Sequence, residues 1–303
     1  MVHGGPRTQA ALVDDTVLAE IEALDELAPL HNAVAAAAIH ELQKRLPDIP
    51  HVACFDTSFH ASLPAAAARY ALPDEWVERF GLRRYGFHGL SVAWSVERVA
   101  ALLERPAAEL GIVVAHLGSG ASVTAVQGGR SVSTSMGMTP LEGIVMGTRS
   151  GSVDPGILLH LLRQGIGPEE LQEGVAHRGG LLALFGPGGM RAVESEAAAG
   201  DARAREALDL FVTRAAEGIA AAATALERWD ALVFTGGIGE NSPTVRGRVC
   251  DRLAVLGIPA PDSGERDGDA VLGSGSPAVA VVHAREDVVI ARQVRELVTD
   301  PPA

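Results

Sequence analysis

Two short apolar runs that each end in a glycine-rich turn constrain the fold of this chain most strongly. The runs Gly111–Ala115 and Ala231–Phe234 are continuously apolar, which predicts buried strands. Glycine-rich turns follow them at 117–120 and 236–239. Ligands of α/β sheets usually bind outside the carboxyl ends of strands, so the two turns predict a binding site.

Other segments complete a pattern in which strands alternate with helices, and this pattern predicts an α/β fold. The remaining predicted strands are His51–Phe55, Ala121–Val126 and Ala278–Val282. The main predicted helices are Asp15–Leu27, Pro29–Lys44, Ser91–Leu103, Asp201–Trp229 and Glu286–Leu297. Gly179–Gly189, which is rich in glycine and leucine, is predicted to be a loop over the site.

Composition and charge exclude several function classes. The 303 residues are 47% hydrophobic and 21% charged, a soluble globular composition long enough for two domains. A net charge of −13 argues against a nucleic-acid surface. No apolar stretch approaches the roughly 18 residues of a membrane span, and no signal pattern opens the chain, so residence in the cytoplasm is the default expectation. Cys54 and Cys250 lack metal or disulfide spacing and are expected to be buried small hydrophobes.

Arginine is the main cation available to an anion site. Lys44 is the single lysine of the chain. Arg149 stands between Gly147 and Gly151, small residues that let a ligand approach the backbone while a cation reaches it. The loop is equally compatible with a structural turn that carries a surface arginine.

The two glycine turns have the chemistry of phosphate sites. In the turn after Gly111–Ala115, Gly118 and Gly120 permit positive φ, so that consecutive N–H groups can point at one anion. The alternative is a plain hairpin turn. The second turn precedes a helix whose N-terminus favours phosphate, although strand-to-helix glycine turns are also common without ligands.

Three single residues each have a functional and an ordinary interpretation. Asp56 follows a predicted strand and is either a functional carboxylate or a helix N-cap. His88, between Phe87 and Gly89, is either a site residue or a satisfied core histidine. Glu286 is either a metal ligand or a first-turn glutamate that interacts with the helix dipole.

Five motifs in a fixed order resemble the acetate kinase family, which belongs to the acetate and sugar kinase, Hsp70 and actin superfamily. They begin at Phe55, Arg84, His116, Thr139 and Thr235, and the resemblance runs from Val2 to about Val298. It implies an actin-like, ribonuclease H-like two-domain kinase fold with an incomplete first domain. Residues 1–55 would be the remnant of the N-terminal domain, 56–285 the C-terminal nucleotide-binding domain, and 286–303 a last helix packing back on the N-terminal domain.

The resemblance also implies a role for each site residue. The implied catalytic residues are Asp56, His88, Arg149 and His31, and the implied magnesium ligand is Glu286. The implied nucleotide-binding residues are His116, Leu117, Gly118, Ser119, Gly120, Gly189, Met190, Arg191, Gly237, Ile238, Gly239, Glu240 and Asn241. The chain departs from the family at Ser119, where asparagine is common, and at Gly189, where aspartate is usual.

The implied reaction is reversible phosphoryl transfer from ATP to acetate, with Mg²⁺ as the cofactor and a homodimer as the assembly. Propionate or butyrate kinase activity is the close alternative, because a pocket beside Pro140 and Leu141 can accept another methylene at a cost of ~1–3 kcal/mol. A non-catalytic nucleotide-binding remnant is a second alternative. An Hsp70-like chaperone is disfavoured, since the sequence contains no sign of a peptide-binding domain.

The family's first segment, which carries an Asn-x-Gly-Ser-Ser-Ser-x-Lys phosphate loop, has no counterpart in this sequence. Family members also carry Arg-Val-Val-His-Gly-Gly, whereas this chain opens Met1-Val2-His3-Gly4-Gly5. We therefore expect that the start of the chain is assigned too late, at a GTG valine codon. An in-frame stop codon just upstream would contradict this hypothesis.

Overall fold

A mixed six-stranded sheet forms the centre of the structure, a computed structural model that describes residues 2–28, 31–262 and 268–299. The strands are β1 (Ala11–Leu12), β2 (Val52–Ala53), β3 (Gly111–Leu117), β4 (Ala121–Gln127), β5 (Arg130–Thr134), β6 (Ala231–Thr235), β7 (Ala270–Val271) and β8 (Ala278–Val281). The strand order in the large sheet is β5-β4-β3-β6-β8-β7, and β3, β6 and β8 run parallel. The two predicted strands that end in glycine turns are therefore neighbours, and their carboxyl ends lie at the same edge.

Helices surround this sheet, and the predicted α/β class is confirmed. They are α1 (Asp15–Ala23), α2 (Asn32–Arg45), α3 (Ala65–Ala68), α4 (Asp74–Phe80), α5 (Gly89–Leu102), α6 (Pro155–Arg163), α7 (Pro168–Ala176), α8 (Gly180–Leu184), α9 (Gly189–Ala199), α10 (Ala202–Ala223), α11 (Gly236–Asn241), α12 (Pro243–Leu253) and α13 (Glu286–Thr299). None of the helices in the described ranges is long and apolar enough to cross a membrane.

Both faces of the sheet are buried. Successive residues of a strand point to opposite sides, so β3 contributes side chains to a core on each face. Ile112 and Val114 of β3 pack with α5 on one face. Val113 and Ala115 belong to the larger core on the other face, which α10 dominates. This two-sided burial explains why β3 is a continuous apolar run rather than an alternating one.

The N-terminal residues form a smaller layer beside the large sheet. β1 and β2 pair antiparallel, with Ala11 opposite Ala53, and a parallel bridge joins Val2 to Phe55. Apolar side chains of α1 and α2 cover this layer. A separate cluster, formed by Ala10, Cys54, Leu90 and Val289, brings the layer together with α5 and α13. The division of the chain into domains at 55 and 285 stays a prediction.

Three sequence predictions need correction. The predicted strand His51–Phe55 is reduced to the two residues of β2, because only Val52 and Ala53 form a continuous ladder, whereas Phe55 makes a single bridge to Val2. The predicted loop Gly179–Gly189 contains helix α8, in which Leu181 is buried in the core. The long helix predicted to reach Trp229 ends at Ala223, and the backbone N–H of Asp230, directly before β6, already donates to the carbonyl of Gly111. Part of the helix predicted from Pro29 lies outside the described residues; α2 begins at Asn32.

The alanine-rich helix α10 packs one face into the core, while its other face is exposed. Nine of its residues are buried, and it contacts α9, α12 and β4. The small side chains permit these close approaches, while Phe211 fills the space between them at 1% exposure.

We expect Phe211→Ala to lower the free energy of unfolding by about 3–5 kcal/mol, because it removes a large side chain and leaves a cavity. The measurement is urea denaturation followed by circular dichroism. Phe80→Ala is the matched control, since Phe80 is 56% exposed, and we expect it to cost under about 1 kcal/mol. Equal losses from the two variants would contradict the assignment of Phe211 to the core.

Candidate active site

A cleft of about 570 Å³ lies at the carboxyl ends of the parallel strands β3 and β6. The glycine turns that follow these strands form part of its wall, as the sequence predicts. The residues that line it are His31, His88, His116, Gly118, Ser119, Gly120, Arg149, Gly236, Gly237, Glu240, Ala284, Glu286 and Asp287. Residues predicted from four separate motifs therefore meet in one place.

The glycines of the first turn are needed for space rather than for positive φ, which corrects the prediction. Positive φ occurs at Gly236 (76°) but at neither Gly118 nor Gly120. A Cβ on Gly120 would lie 3.1 Å from Nη2 of Arg149 and 3.2 Å from Nε2 of His88. Glycine thus lets a cation and an imidazole approach the same point of the turn.

Arg149 is a half-buried cation held in a tightly packed loop. Its Nη1 donates a hydrogen bond of 2.8 Å to the carbonyl of Pro140. Burial lowers the pKa of its guanidinium. Among the described residues, no carboxylate lies within ion-pair distance of Arg149, so its charge is available to an anionic ligand. A Cβ on Gly180 would come within 2.7 Å of the carbonyl oxygen of Arg149, which explains the glycine there.

His88 occupies an unusual backbone conformation at the start of α5. Its φ of 59° is left-handed, which is rare for a residue with a side chain. Its backbone N–H donates to Oδ2 of Asp56 at 2.6 Å, and its ring stacks on that of His116 with centroids 4.1 Å apart. Burial, the neighbouring His116 and Arg149 lower the pKa of His88 well below its usual value, so the ring is neutral at pH 7.

His116 and His60 are neutral for the same reason. Burial lowers the pKa of each ring to about 4. His60 does not line the cleft; its Nε2 donates to the carbonyl of Phe87, directly before His88. His60 was not among the site residues predicted from the sequence, although it lies four residues after Asp56.

His31 lines the cleft and also a neighbouring cavity of about 260 Å³. Burial and then the charge of Arg149 lower the pKa of His31. Its Nδ1 is buried and has no hydrogen-bond partner among the described residues. The second cavity, which also includes Arg149, Pro140 and Leu141, extends away from the glycine turns.

Asp56 lies behind the cleft rather than in its wall. It is 4% exposed, and its carboxylate accepts N–H bonds from His88 and Leu90 at the start of α5. It therefore satisfies the N-terminal N–H groups of a helix that is distant in sequence, a form of capping that the local N-cap interpretation did not include. Desolvation raises the pKa of Asp56, and the hydrogen bonds from the N–H groups of His88 and Leu90 oppose this shift.

Glu286 and Glu240 have different surroundings within the cleft. Burial and the charge of Asp56 raise the pKa of Glu286, the first residue of α13, to about 7. Oε1 of Glu240 accepts N–H bonds of 2.9 Å from both Gly236 and Ala284. Glu240 is thus engaged by the backbone, whereas Glu286 is a candidate metal ligand. No cluster of three or more potential metal-ligating residues occurs in the described parts of the chain.

The other predicted nucleotide-binding residues lie outside the cleft wall. Leu117 is buried at the end of β3, and Ile238, Gly239 and Asn241 belong to α11. Gly189, Met190 and Arg191 begin α9, where Met190 packs into the core. The structure therefore does not bring the 189–191 segment into the wall of the 570 Å³ cleft.

The fold and the cleft together define an α/β protein whose cleft places the cation Arg149 beside two strand-end glycine turns. The chain belongs to the acetokinase family, whose family model matches residues 1–292. It is 46% identical to the acetate kinase of Deinococcus radiodurans over 306 aligned residues, which cover 98% of this chain and 77% of the relative.

Solved structures agree with this assignment and with the actin-like kinase fold that the motifs imply. The acetate kinase of Porphyromonas gingivalis superposes with a TM-score of 0.91 at 36% identity, covering 98% of this chain and 77% of the other. A propionate kinase from Francisella tularensis superposes with a TM-score of 0.88, also at 36% identity, covering 97% and 77%.

We expect Glu286→Gln to stabilise the protein at pH 8 but to have little effect at pH 5. The Glu286 carboxyl ionises near its ordinary pKa of 4.5 when unfolded and near 7 when folded. Folding is therefore penalised progressively as the pH rises from about 4.5 through 7. After discounting for solvent screening, we expect a gain of about 1–2 kcal/mol at pH 8.

The measurement is urea denaturation of both proteins at the two pH values. Glu296→Gln, an exposed change on the same helix, is the control and is expected to be neutral at both. A loss of stability in Glu286→Gln at pH 8 would contradict the assigned environment.

Proposed function

We propose that this chain is an acetate kinase that transfers the γ-phosphoryl group of ATP to acetate, giving acetyl phosphate and ADP. The observation that carries the proposal is the cleft itself. There the uncompensated cation Arg149 and the neutral rings of His88 and His116 face two glycine turns. Membership of the acetokinase family and the acetate kinase relatives support it.

In this proposal the residues act mainly by positioning and by stabilising charge, as is usual in phosphoryl transfer. Acetate is already deprotonated at neutral pH, so its carboxylate can attack the γ-phosphorus without a general base. Arg149 and His88 stabilise the equatorial oxygens of the transferred group, and His31 assists beside the acceptor. Asp56 holds the backbone of His88 in place.

The glycine turns would hold the nucleotide. In this proposal His116 and the 117–120 turn contact the phosphates, and Gly237 and Glu240, which lie in the cleft wall, line the adenosine pocket. The same role for Ile238, Gly239 and Asn241 stays a prediction, since they lie outside the cleft wall. A role of Gly189 to Arg191 in the same pocket stays a prediction, since they lie outside the cleft wall. The backbone of both turns is accessible because glycine adds no side chain there.

The chemistry of Glu286 and Asp56 fits a magnesium ion. The two carboxylates are close enough that Asp56 helps to raise the pKa of Glu286, and oxygen ligands are those that Mg²⁺ prefers. Glu286 would hold the ion and Asp56 would add negative charge behind it. Magnesium bound there supplies positive charge that neutralises the phosphate oxygens.

A longer carboxylic acid is the second candidate acceptor. The 260 Å³ cavity beside Pro140 and Leu141 shares Arg149 with the cleft and offers more room than the methyl group of acetate requires. The comparison of kcat/KM for acetate, propionate and butyrate decides between them. A preference for propionate above about 10-fold would assign the cavity to the acyl chain.

We also propose a homodimer that resides in the cytoplasm. Helix α6 exposes Ile157, Leu159 and Leu162, a surface on which a second copy could bury apolar area. Light scattering during size exclusion, with Leu159→Arg as the variant, tests this part of the proposal. A monomer at all concentrations would contradict it.

The function is tested by incubating the purified chain with ATP, Mg²⁺ and acetate and trapping acetyl phosphate as its hydroxamate. We expect product formation that depends on all three components. Binding of ATP without any turnover would contradict the proposal and favour a non-catalytic nucleotide-binding protein.

We expect Arg149→Ala to lower kcat by about 10³-fold, the size of effect that a phosphoryl-stabilising arginine has in other enzymes. Its stability should change little, because the loss of the hydrogen bond to the Pro140 carbonyl is opposed by the removal of a half-buried charge without an ion-pair partner among the described residues. Arg214→Ala, which removes an exposed arginine paired with Glu217, is the control and should retain activity. Equal activity of the two variants would remove Arg149 from the proposed mechanism.

A further inference from the structure

Three histidines in and behind the cleft share one arrangement, in which a serine hydroxyl lies 2.9 Å from the ring Nδ1. The pairs are His60 with Ser131, His88 with Ser122, and His116 with Ser91. Each of these serines is fully buried. The serines come from β5, β4 and α5, so the arrangement is not the product of one local motif.

The tautomer of His60 follows from its second partner. A carbonyl oxygen only accepts hydrogen bonds, so the 2.9 Å contact between Nε2 of His60 and the Phe87 carbonyl requires a proton on Nε2. The neutral ring then has a bare Nδ1, and the Ser131 hydroxyl donates to it. In the His60–Ser131 pair the serine hydroxyl is therefore the donor and the histidine Nδ1 is the acceptor.

Counting donors gives the same direction for the other two pairs. If Nδ1–H of His88 donated to Ser122, the hydroxyl proton of Ser122 would need an acceptor of its own. No other hydrogen bond is found for that hydroxyl among the described residues, and a buried donor without an acceptor is costly. The same holds for Ser91 and His116. Both hydroxyls therefore donate, and both rings carry their proton on Nε2.

The protonated nitrogens lie against the glycine turns of the cleft. A Cβ on Gly120 would lie 3.2 Å from Nε2 of His88, and one on Gly236 would lie 3.1 Å from Nε2 of His116. Neither Nε2 has a hydrogen-bond partner among the described residues, and neither is one of the fully buried polar atoms that lack one. Both N–H groups are thus open to the cleft.

We propose that Ser122 and Ser91 are positioning residues that hold His88 and His116 in the Nε2–H tautomer, so that two neutral N–H donors face the phosphate groups of the substrate. The identity of that ligand rests on the proposed function, whereas the tautomers themselves do not. A neutral Nδ1–H tautomer would present a lone pair to the phosphate oxygens, which would repel it.

Nitrogen NMR of [¹⁵N]histidine-labelled protein tests the tautomers directly, because the protonated and bare ring nitrogens have well separated shifts. The ten histidines are assigned from variants that each lack one ring. We expect His60, His88 and His116 all to be Nε2–H in the full chain without substrates. In Ser122→Ala we expect His88 to become a mixture of tautomers, and in Ser91→Ala we expect the same for His116.

Two serine variants serve as matched controls. Ser131→Ala removes the same type of bond from His60, whose tautomer should not change because the Phe87 carbonyl fixes it. Ser95→Ala removes a fully buried hydroxyl that has no partner among the described residues, and it should leave every histidine unchanged. An Nδ1–H tautomer for His88 in the parent protein would overturn the proposal, as would an unchanged His88 in Ser122→Ala.

Kinetics provide the second readout. We expect Ser122→Ala to lower kcat by about 10-fold, the size of one lost hydrogen bond, with little change in KM for acetate. Ser122→Thr, which keeps the hydroxyl, should recover both the tautomer and most of kcat. An unchanged kcat in a Ser122→Ala protein with mixed tautomers would overturn the functional part. If the parent protein has no kinase activity, the proposed function fails while the NMR result still decides the tautomers.

Discussion

The charge of Arg149 is the constraint around which the cleft is built. A half-buried guanidinium without a carboxylate partner among the described residues loses hydration that no ion pair restores, and this raises the free energy of the folded protein. The surroundings fit such a charge: His31 and His88 stay neutral beside it, the Pro140 carbonyl accepts one of its N–H groups, and glycines leave room. In the proposed function an anionic substrate would supply this counter-charge, so relief of the desolvation cost of Arg149 would favour its binding.

The features that the sequence predicts well are those with local causes. The strands β3 and β6 are continuous apolar runs, and glycine turns end both, so their positions and the site at their carboxyl ends follow from short windows of sequence. Most cleft residues, including His88 and Arg149, were predicted from motifs that occur in the same order as in the acetate kinase family. Confirmation of the family rests on similarity along nearly the whole chain.

The features that sequence reasoning missed depend on contacts between distant segments. Asp56 caps a helix that begins more than thirty residues later, and Ser122 of β4 contacts His88 at the start of that helix, which no local pattern indicates. The expectation of positive φ at Gly118 and Gly120 was wrong because a missing side chain can serve close approach as well as backbone freedom. The 189–191 segment was predicted by resemblance alone, at the point where the sequence departs from the family, and it lies outside the cleft wall.

The carboxylate of Glu240 links two parts of the cleft through hydrogen bonds. Oε1 of Glu240 accepts N–H bonds from Gly236, in the turn after β6, and from Ala284, two residues before α13 begins at Glu286. Glu240 therefore holds the turn and the start of α13 together, because separating them would break at least one of these two hydrogen bonds. A displacement of the turn after β6 would therefore be transmitted to Glu286, the first residue of α13.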